Sequence, residues 1–118
     1  MLRPFLLTLL LLPHLLLASP EVKIEANPRV TTEASNIKVS VEPNEANRKL
    51  VIEWYLYPGF ENRKWYDLEG LDAPKVFRYQ VKFNEGGEWQ IKARVFRSND
   101  SQKVDWTTVL VRRPGDMN

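Results

Sequence analysis

The sequence of 118 residues contains no cysteine and a single histidine, His14. Histidine and cysteine are the side chains that most often serve as catalytic bases and nucleophiles near neutral pH, and they are the usual zinc ligands. A serine triad and a metal site of the imidazole or thiolate kind are therefore excluded for any part of the chain that lacks His14. These absences predict a protein that is not an enzyme and that holds no cofactor.

The sequence also lacks a run of basic residues, although its net charge is +2 and its pI is near 9.0. Charges of both signs are interspersed along the chain, and no basic tract could follow a phosphate backbone, so nucleic acid is not an expected partner. The chain is instead rich in apolar side chains, since 43% of the residues are hydrophobic and 11% are aromatic. That content and length predict one packed domain.

The N-terminus has the layout of a secretory signal peptide. Arg3 supplies a short basic region, residues 5–17 are almost wholly apolar, and Ala18 and Ser19 are small. Since proline directly after the scissile bond is disfavoured, Pro20 places the expected cleavage after Ala18 rather than after Ser19. The apolar run is shorter than the roughly 20 residues that a membrane span needs, so no stable span is expected after cleavage. An uncleaved anchor is the alternative.

The missing cysteines bear on the compartment as well. Small exported domains of eukaryotes usually carry disulfides, because their compartment permits them and their small cores benefit. Their absence here favours a bacterial exported protein, either periplasmic or secreted.

Beyond the leader, apolar and polar residues alternate, which is the mark of half-buried strands. After the glycine pair at 86–87, Trp89, Ile91, Ala93 and Val95 share one face. The same period predicts strands at 21–26, 37–42, 49–57, 76–83, 88–96 and 104–111, with short edge pieces within 29–32 and 64–68. For the last strand two facings compete, one with Trp106 inward and one with Val109 inward. The predicted organisation is a signal peptide at 1–18, an all-β domain at 19–111 and a flexible tail at 112–118.

Two segments carry a resemblance to a known family. A tryptophan lies in mid-strand at Trp54, and the segment 83–95 joins a glycine pair to Trp89 at the start of a strand. Together they resemble the immunoglobulin-like and fibronectin type III-like modules of bacterial exported proteins. The resemblance implies a two-layer antiparallel sandwich of about seven strands, in which residues 84–87 cross between the sheets. The alternative is that residues 84–87 close a simple hairpin within one sheet.

Five aromatic residues lie close together in the sequence and are the candidate binding residues: Tyr55, Tyr57, Phe60, Trp65 and Tyr66. Aromatic rings among charged neighbours suit protein contacts and also sugar stacking. The alternative is that these rings only pack at the edge of the domain. The sequence thus predicts an exported, non-catalytic module that binds an envelope or extracellular protein partner, or alternatively a small carbohydrate-binding module that acts through aromatic stacking.

Carboxylates offer the remaining chemistry. Asp67, Glu69 and Asp72 lie in one connector and could in principle bind calcium. Calcium loops usually have denser acidic spacing with a bidentate ligand, so this connector is interpreted as a solvated acidic loop and no metal is predicted. A pair of catalytic carboxylates would need a cleft that so small a domain seldom provides.

Overall fold

The computed structural model of the protein describes residues 21–113, apart from the side chain of Phe60. These residues form eight strands and one short 3-10 helix, so the all-β prediction is confirmed. The strands are β1 (Val22–Asn27), β2 (Val30–Thr31), β3 (Ala34–Val41), β4 (Asn47–Leu56), β5 (Phe60–Asp67), β6 (Val76–Lys82), β7 (Gly87–Arg97) and β8 (Gln102–Val111), and the 3-10 helix is Gly70–Asp72. Within this range no helix has the length and hydropathy to cross a bilayer. The predicted leader and residues 114–118 of the predicted tail lie outside the described residues.

The strands form two sheets. The three-stranded sheet has the order β1–β3–β6, and the five-stranded sheet has the order β2–β8–β7–β4–β5. All neighbouring strands are antiparallel except β2, which pairs with β8 in parallel through Val30 and Thr31. The short edge piece expected within 29–32 is therefore present. The other edge strand, β5, begins at Phe60 and is longer than the expected segment 64–68. The expectation rested on apolar residues, whereas the backbone of β5 pairs with β4 from Phe60 to Asp67 whatever the side chains are.

The connection between β6 and β7 crosses from one sheet to the other. Since β6 pairs only with β3, and β7 pairs with β4 and β8, the predicted crossing at 84–87 is confirmed and the hairpin alternative is wrong. The crossing is fastened by Trp89, whose indole Nε1 donates to the carbonyl of Glu85 at 3.0 Å. The same ring contacts Phe83 with the two ring centroids 5.2 Å apart.

One apolar core lies between the sheets. The inward residues of both sheets join a single cluster, and Trp54 and Trp89 are both buried in it, as the alternation predicted. Ile52 and Leu50 of β4 are completely inaccessible to solvent. A fully buried aliphatic side chain of this kind contributes about 1.5–3 kcal/mol relative to an exposed one. The facing of β8 is also settled: Val109 and Val111 lie in the core, and Trp106 points to solvent.

Strand β1 is held against the five-stranded sheet by polar contacts. The Asp105 carboxylate, on the inward side of β8, accepts a hydrogen bond from the backbone N–H of Ile24 at 2.9 Å. At the start of the strand the Glu21 carboxylate lies 3.0 Å from Lys103 Nζ and 3.6 Å from the guanidinium of Arg97. The hydrogen bond from Lys103 is the main cause that lowers the pKa of Glu21, and Arg97 adds to it. These contacts close the gap at this side of the two sheets.

Candidate functional site on the outer face of the five-stranded sheet

The outer face is the solvent side of β8, β7, β4 and β5. Residues that are Cα partners on neighbouring strands point to the same side of a sheet, so the register fixes which side chains share this face. Its centre is defined by eight residues in two rows that run across the four strands. The upper row is Val104, Arg94, Val51 and Trp65, and the lower row is Trp106, Lys92, Glu53 and Arg63.

Large apolar side chains are exposed at both margins of this face. Trp65 on β5 is 54% exposed, Trp106 on β8 is 59% exposed and its neighbour Val104 is 47% exposed. Exposed tryptophans are informative because the burial of an indole contributes more to binding than that of most side chains. Two exposed indoles on one side of one sheet make that side a candidate contact surface.

The middle of the face carries charges of both signs. Arg94 Nε lies 3.3 Å from Glu53 Oε1, and both side chains are largely shielded from solvent. A second guanidinium nitrogen of Arg94, Nη1, donates to Gln102 Oε1 at 3.3 Å. Lys92 is the direct cross-strand partner of Glu53, so acid and base sit side by side at the centre. An ion pair this shielded by its neighbours is less screened than one on an open surface.

Cations also lie over the aromatic rings of this face. Lys92 Nζ is 5.9 Å from the ring centre of Tyr55, and Lys49 Nζ is 6.0 Å from that of Trp65. The Tyr55 hydroxyl donates to Gln90 Oε1 at 2.7 Å. Each cation–ring contact at an exposed site contributes roughly 0.5–1 kcal/mol. These contacts favour the observed positions of Tyr55 and Trp65 by a small amount of free energy.

The structure separates the five predicted aromatic residues. Tyr55 and Trp65 lie on the outer face, and Tyr57 lies at its rim with 90% of its surface exposed. Phe60 is the first residue of β5, and its side chain is outside the described part of the chain.

Tyr66 lies on the opposite side of β5 from Trp65. It packs on Phe77 of the other sheet with ring centroids 5.0 Å apart, and Lys64 Nζ lies 5.4 Å from its ring centre. Burial is the main cause that raises the pKa of the Tyr66 phenol, and Tyr79 adds to the rise. The surroundings of Tyr66 are therefore those of a packed ring, as in the alternative interpretation of the aromatic residues.

Of the eight central residues of the outer face the sequence prediction named only Trp65, and among those it missed are two exposed apolar residues, Val104 and Trp106. They lie far beyond the predicted cluster in sequence and join it only because β8 pairs with β7, and β7 with β4. The available signal was the alternation of β8 itself, which allowed a facing with Val109 and Val111 inward. That facing requires Trp106 to be outside.

A shallow depression of about 250 Å³ adjoins the lower end of the face, where β4 turns into β5. Tyr55, Tyr57 and Pro58 line one side, and Glu53, Glu61 and Lys92 supply charges around it. Across residues 21–113 no three or more acidic side chains come close enough to hold a metal ion, and that range contains neither histidine nor cysteine. The chemistry available at this face is therefore that of aromatic contacts, ion pairs and hydrogen bonds.

Comparison with known proteins gives a likeness in fold. Neither a family model nor a curated protein matches the sequence. Among solved structures, superoxide reductase (neelaredoxin) from Ignicoccus hospitalis is similar with a TM-score of 0.62 and 20% identity, covering 77% of this chain and 80% of that one. Two of its single-residue variants match with TM-scores of 0.64, one at 16% identity over 79% of this chain and 81% of the other, and one at 20% identity over 80% and 82%.

These matches correct the predictions of family and of activity. The prediction of a non-catalytic binding module, with its carbohydrate-binding alternative, is overturned, and so is the prediction that the protein is not an enzyme, because the proteins that share the fold are enzymes by name. At 16–20% identity the likeness establishes the fold, and a shared fold does not by itself carry a function. The fold is that of a superoxide reductase rather than of the immunoglobulin-like or fibronectin type III-like module that the sequence resembled.

Proposed function

We propose that the protein works as a homodimer and that the outer face of the five-stranded sheet is its subunit interface. The observation that carries the proposal is the exposure of Trp65, Trp106 and Val104 on one side of one sheet. Interfaces are rich in tryptophan and arginine relative to the rest of a protein surface, and this face also has Arg63 and Arg94.

The other sheet gives the contrast. The solvent side of the three-stranded sheet has a row in which Glu25, Lys38 and Arg78 are Cα partners, and a row of Asn27, Asn36 and Gln80. Such side chains are well hydrated and gain little from burial. The two large surfaces of the molecule thus differ in chemistry, and the aromatic one is the surface that benefits from being covered.

The size of the face sets the expected affinity. Four strands about 4.8 Å apart, each contributing about eight residues of about 3.4 Å rise, make a rectangle of roughly 500 Å² on each subunit. Two such surfaces bury about 1,000 Å² in total, which is at the lower limit of specific interfaces. The dimer is therefore expected to be weak, with dissociation in the micromolar range, and to be visible only over a concentration series.

Sedimentation velocity from about 1 μM to several hundred μM tests the proposal. We expect a shift from monomer to dimer across the series for the natural chain, and a shift at higher concentration for Trp106→Ala and for Trp65→Ala. Leu71→Ala is the matched control, because Leu71 is 64% exposed but lies in the 3-10 helix, away from this face. A monomer at every concentration, or an equal effect of the control, would contradict the proposal.

We further propose that the homodimer is exported. The apolar leader at 1–18 supports this. The absence of cysteine favours a bacterial rather than a eukaryotic exported protein. Expression of the full chain in a bacterium, followed by N-terminal sequencing of the periplasmic fraction, is expected to give a protein that begins at Ser19. Recovery of the intact chain from the membrane fraction would instead support the uncleaved anchor.

Superoxide reduction is a second candidate function, because the three similar structures carry that name. Reduction of superoxide requires a group that donates single electrons, and proteins hold such groups as metals or organic cofactors. Residues 21–113 supply neither imidazole nor thiolate donors, so they do not fit a transition-metal centre of that donor type. For this candidate the donors have to come from elsewhere in the chain, where His14 lies.

A direct comparison tests the second candidate. The full chain and a form that begins at Ser19 are each incubated with ferrous iron, freed of unbound metal and analysed for bound iron and for consumption of superoxide. Iron retention and superoxide consumption by the full chain alone would support the candidate and a part for His14. No retention and no consumption by either form would dismiss it.

A further inference from the structure

We infer that the two subunits meet about a twofold axis that runs along the strands, midway between β7 and β4. This inference rests on the proposed homodimer and specifies how the two outer faces meet. A twofold interface brings the same patch of both subunits together, so each residue must suit the one that the axis places opposite it. The register of the sheet fixes which residues of the two copies face each other, so each pair can be examined for complementarity.

A twofold axis parallel to the strands places the strands of the second copy in the reverse order. Each residue keeps its height along the strands. Strand β7 of one copy then faces β4 of the other, and β8 faces β5. Each row of the outer face therefore meets the same row of the second copy in reverse order. In the lower row this places Lys92 opposite Glu53, and Trp106 opposite Arg63.

Both contacts of the lower row are favourable. Lys92 and Glu53 have opposite charges, and symmetry forms the pair twice. Trp106 offers an exposed indole to the guanidinium of Arg63, whose side chain is 59% exposed and lies 3.9 Å from the Glu61 carboxylate of its own subunit. Arginine stacked on tryptophan is a common and strong form of the cation–π contact.

The upper row is complementary as well, in a different way. It places Val104 opposite Trp65, which joins two exposed apolar side chains, and Arg94 opposite Val51. Arg94 keeps its ion pair with Glu53 of the same subunit, so its charge is not left without a partner.

The alternative axis, across the strands, gives a poorer match. It keeps β7 opposite β7 and β4 opposite β4, and centred between the two rows it places Arg94 of one copy against Lys92 of the other. Two such contacts of like charge then stand at the centre of the interface, where charges of the same sign are costly. This axis also places Val104 opposite Trp106 and Trp65 opposite Arg63, so the aromatic contacts do not separate the two axes. The central charged pairs are what favour the axis along the strands.

Charge reversal tests this arrangement. Lys92→Glu leaves two acids at the central contact, and Glu53→Lys leaves two bases, so each variant alone is expected to dimerise at least about tenfold more weakly than the natural chain. In an equal mixture of the two, the acid introduced at position 92 faces the base introduced at position 53, and the unchanged Glu53 of one copy faces the unchanged Lys92 of the other. The mixture is expected to form a heterodimer, which native mass spectrometry detects once one variant carries a heavy-isotope label.

Several outcomes are decisive. Lys38→Glu, on the polar side of the three-stranded sheet, is the control and is expected to leave dimerisation unchanged. A melting curve for each variant shows whether it is folded. The double variant Lys92→Glu with Glu53→Lys restores opposite charges between positions 92 and 53, although Arg94 loses the acid of its ion pair. Charge variants that dimerise as well as the natural chain, or a mixture that stays monomeric, would overturn this axis. If Trp106→Ala still weakens the dimer in that case, the homodimer stands and only the arrangement fails.

Discussion

Replacement of Gly70 by alanine provides a sharp test of the connector between β5 and β6. Gly70 is buried at the start of the 3-10 helix with φ of 59°, in the left-handed region that L-residues disfavour. A Cβ atom built there would lie 2.9 Å from the carbonyl oxygen of Glu45 and 3.3 Å from its Cα. Because both neighbours are backbone atoms, the clash is relieved only if the 43–47 turn and the 3-10 helix move apart.

The expected magnitude follows from two contributions. An alanine in the left-handed region costs about 1–2 kcal/mol. Displacement of the packed turn adds a cost of the order of 1 kcal/mol, as for other overpacked positions. Alanine also restricts the unfolded chain, which offsets about 0.4–1 kcal/mol. Gly70→Ala is therefore expected to lower the free energy of unfolding by about 2 kcal/mol, or the melting temperature by roughly 8–16 °C for a domain of this size.

Gly59 is the matched control in the same chain. It lies in the β4–β5 turn and does not have a positive φ, and a Cβ atom added to it would meet nothing within 4 Å. Gly59→Ala is expected to leave stability unchanged or to raise it by up to about 1 kcal/mol, through the unfolded state alone. Circular dichroism melts of both variants at equal concentration measure the difference. Similar melting temperatures for the two variants would refute the close approach of the connector to Glu45.

Three further outcomes are expected from the described contacts. Asp105→Ala leaves the Ile24 N–H without its acceptor and should lower the free energy of unfolding by about 1–3 kcal/mol, whereas Asp105→Asn keeps an acceptor oxygen and should cost less, as urea denaturation will show. The lowered pKa of Glu21 means that its carboxylate adds stability above the pKa of an unfolded glutamate and loses it as the pH falls through the lower folded value; Glu21→Gln should therefore flatten this part of the stability–pH curve. Trp54→Ala should cost about 3–5 kcal/mol and leave little folded protein at physiological temperature in the same denaturation assay, while Tyr57→Ala at the exposed rim should change stability by less than about 0.5 kcal/mol.

Much of the fold was accessible from alternation alone. The central strands β4 and β7 were predicted nearly to the residue, because both are buried on one face and show a clean period of two. The start of β5 at Phe60 was missed, since an edge strand in which half of the residues are charged has no such period. The same charges protect this edge from pairing with other chains.

The candidate site was only partly predictable, for a physical reason. Trp65 and Tyr66 are neighbours in sequence but point to opposite sides of β5, so sequence proximity groups side chains that the sheet separates. Trp106 belongs to the site through the pairing of three strands, which local pattern does not contain. The likeness in fold to the superoxide reductases had no sequence signal at all, because at 16–20% identity it resides in backbone geometry.

The contact between Asp105 and Ile24 has a consequence for how the chain matures. Strand β1 pairs with β3 soon after synthesis, but the two residues of this contact are 81 positions apart, so its link to the five-stranded sheet forms only when nearly the whole domain has been synthesised. Closure over such a distance is slow, in the range of milliseconds to seconds for domains rich in distant pairings. The side of the domain that this contact closes therefore stays open until translation of the domain is almost complete.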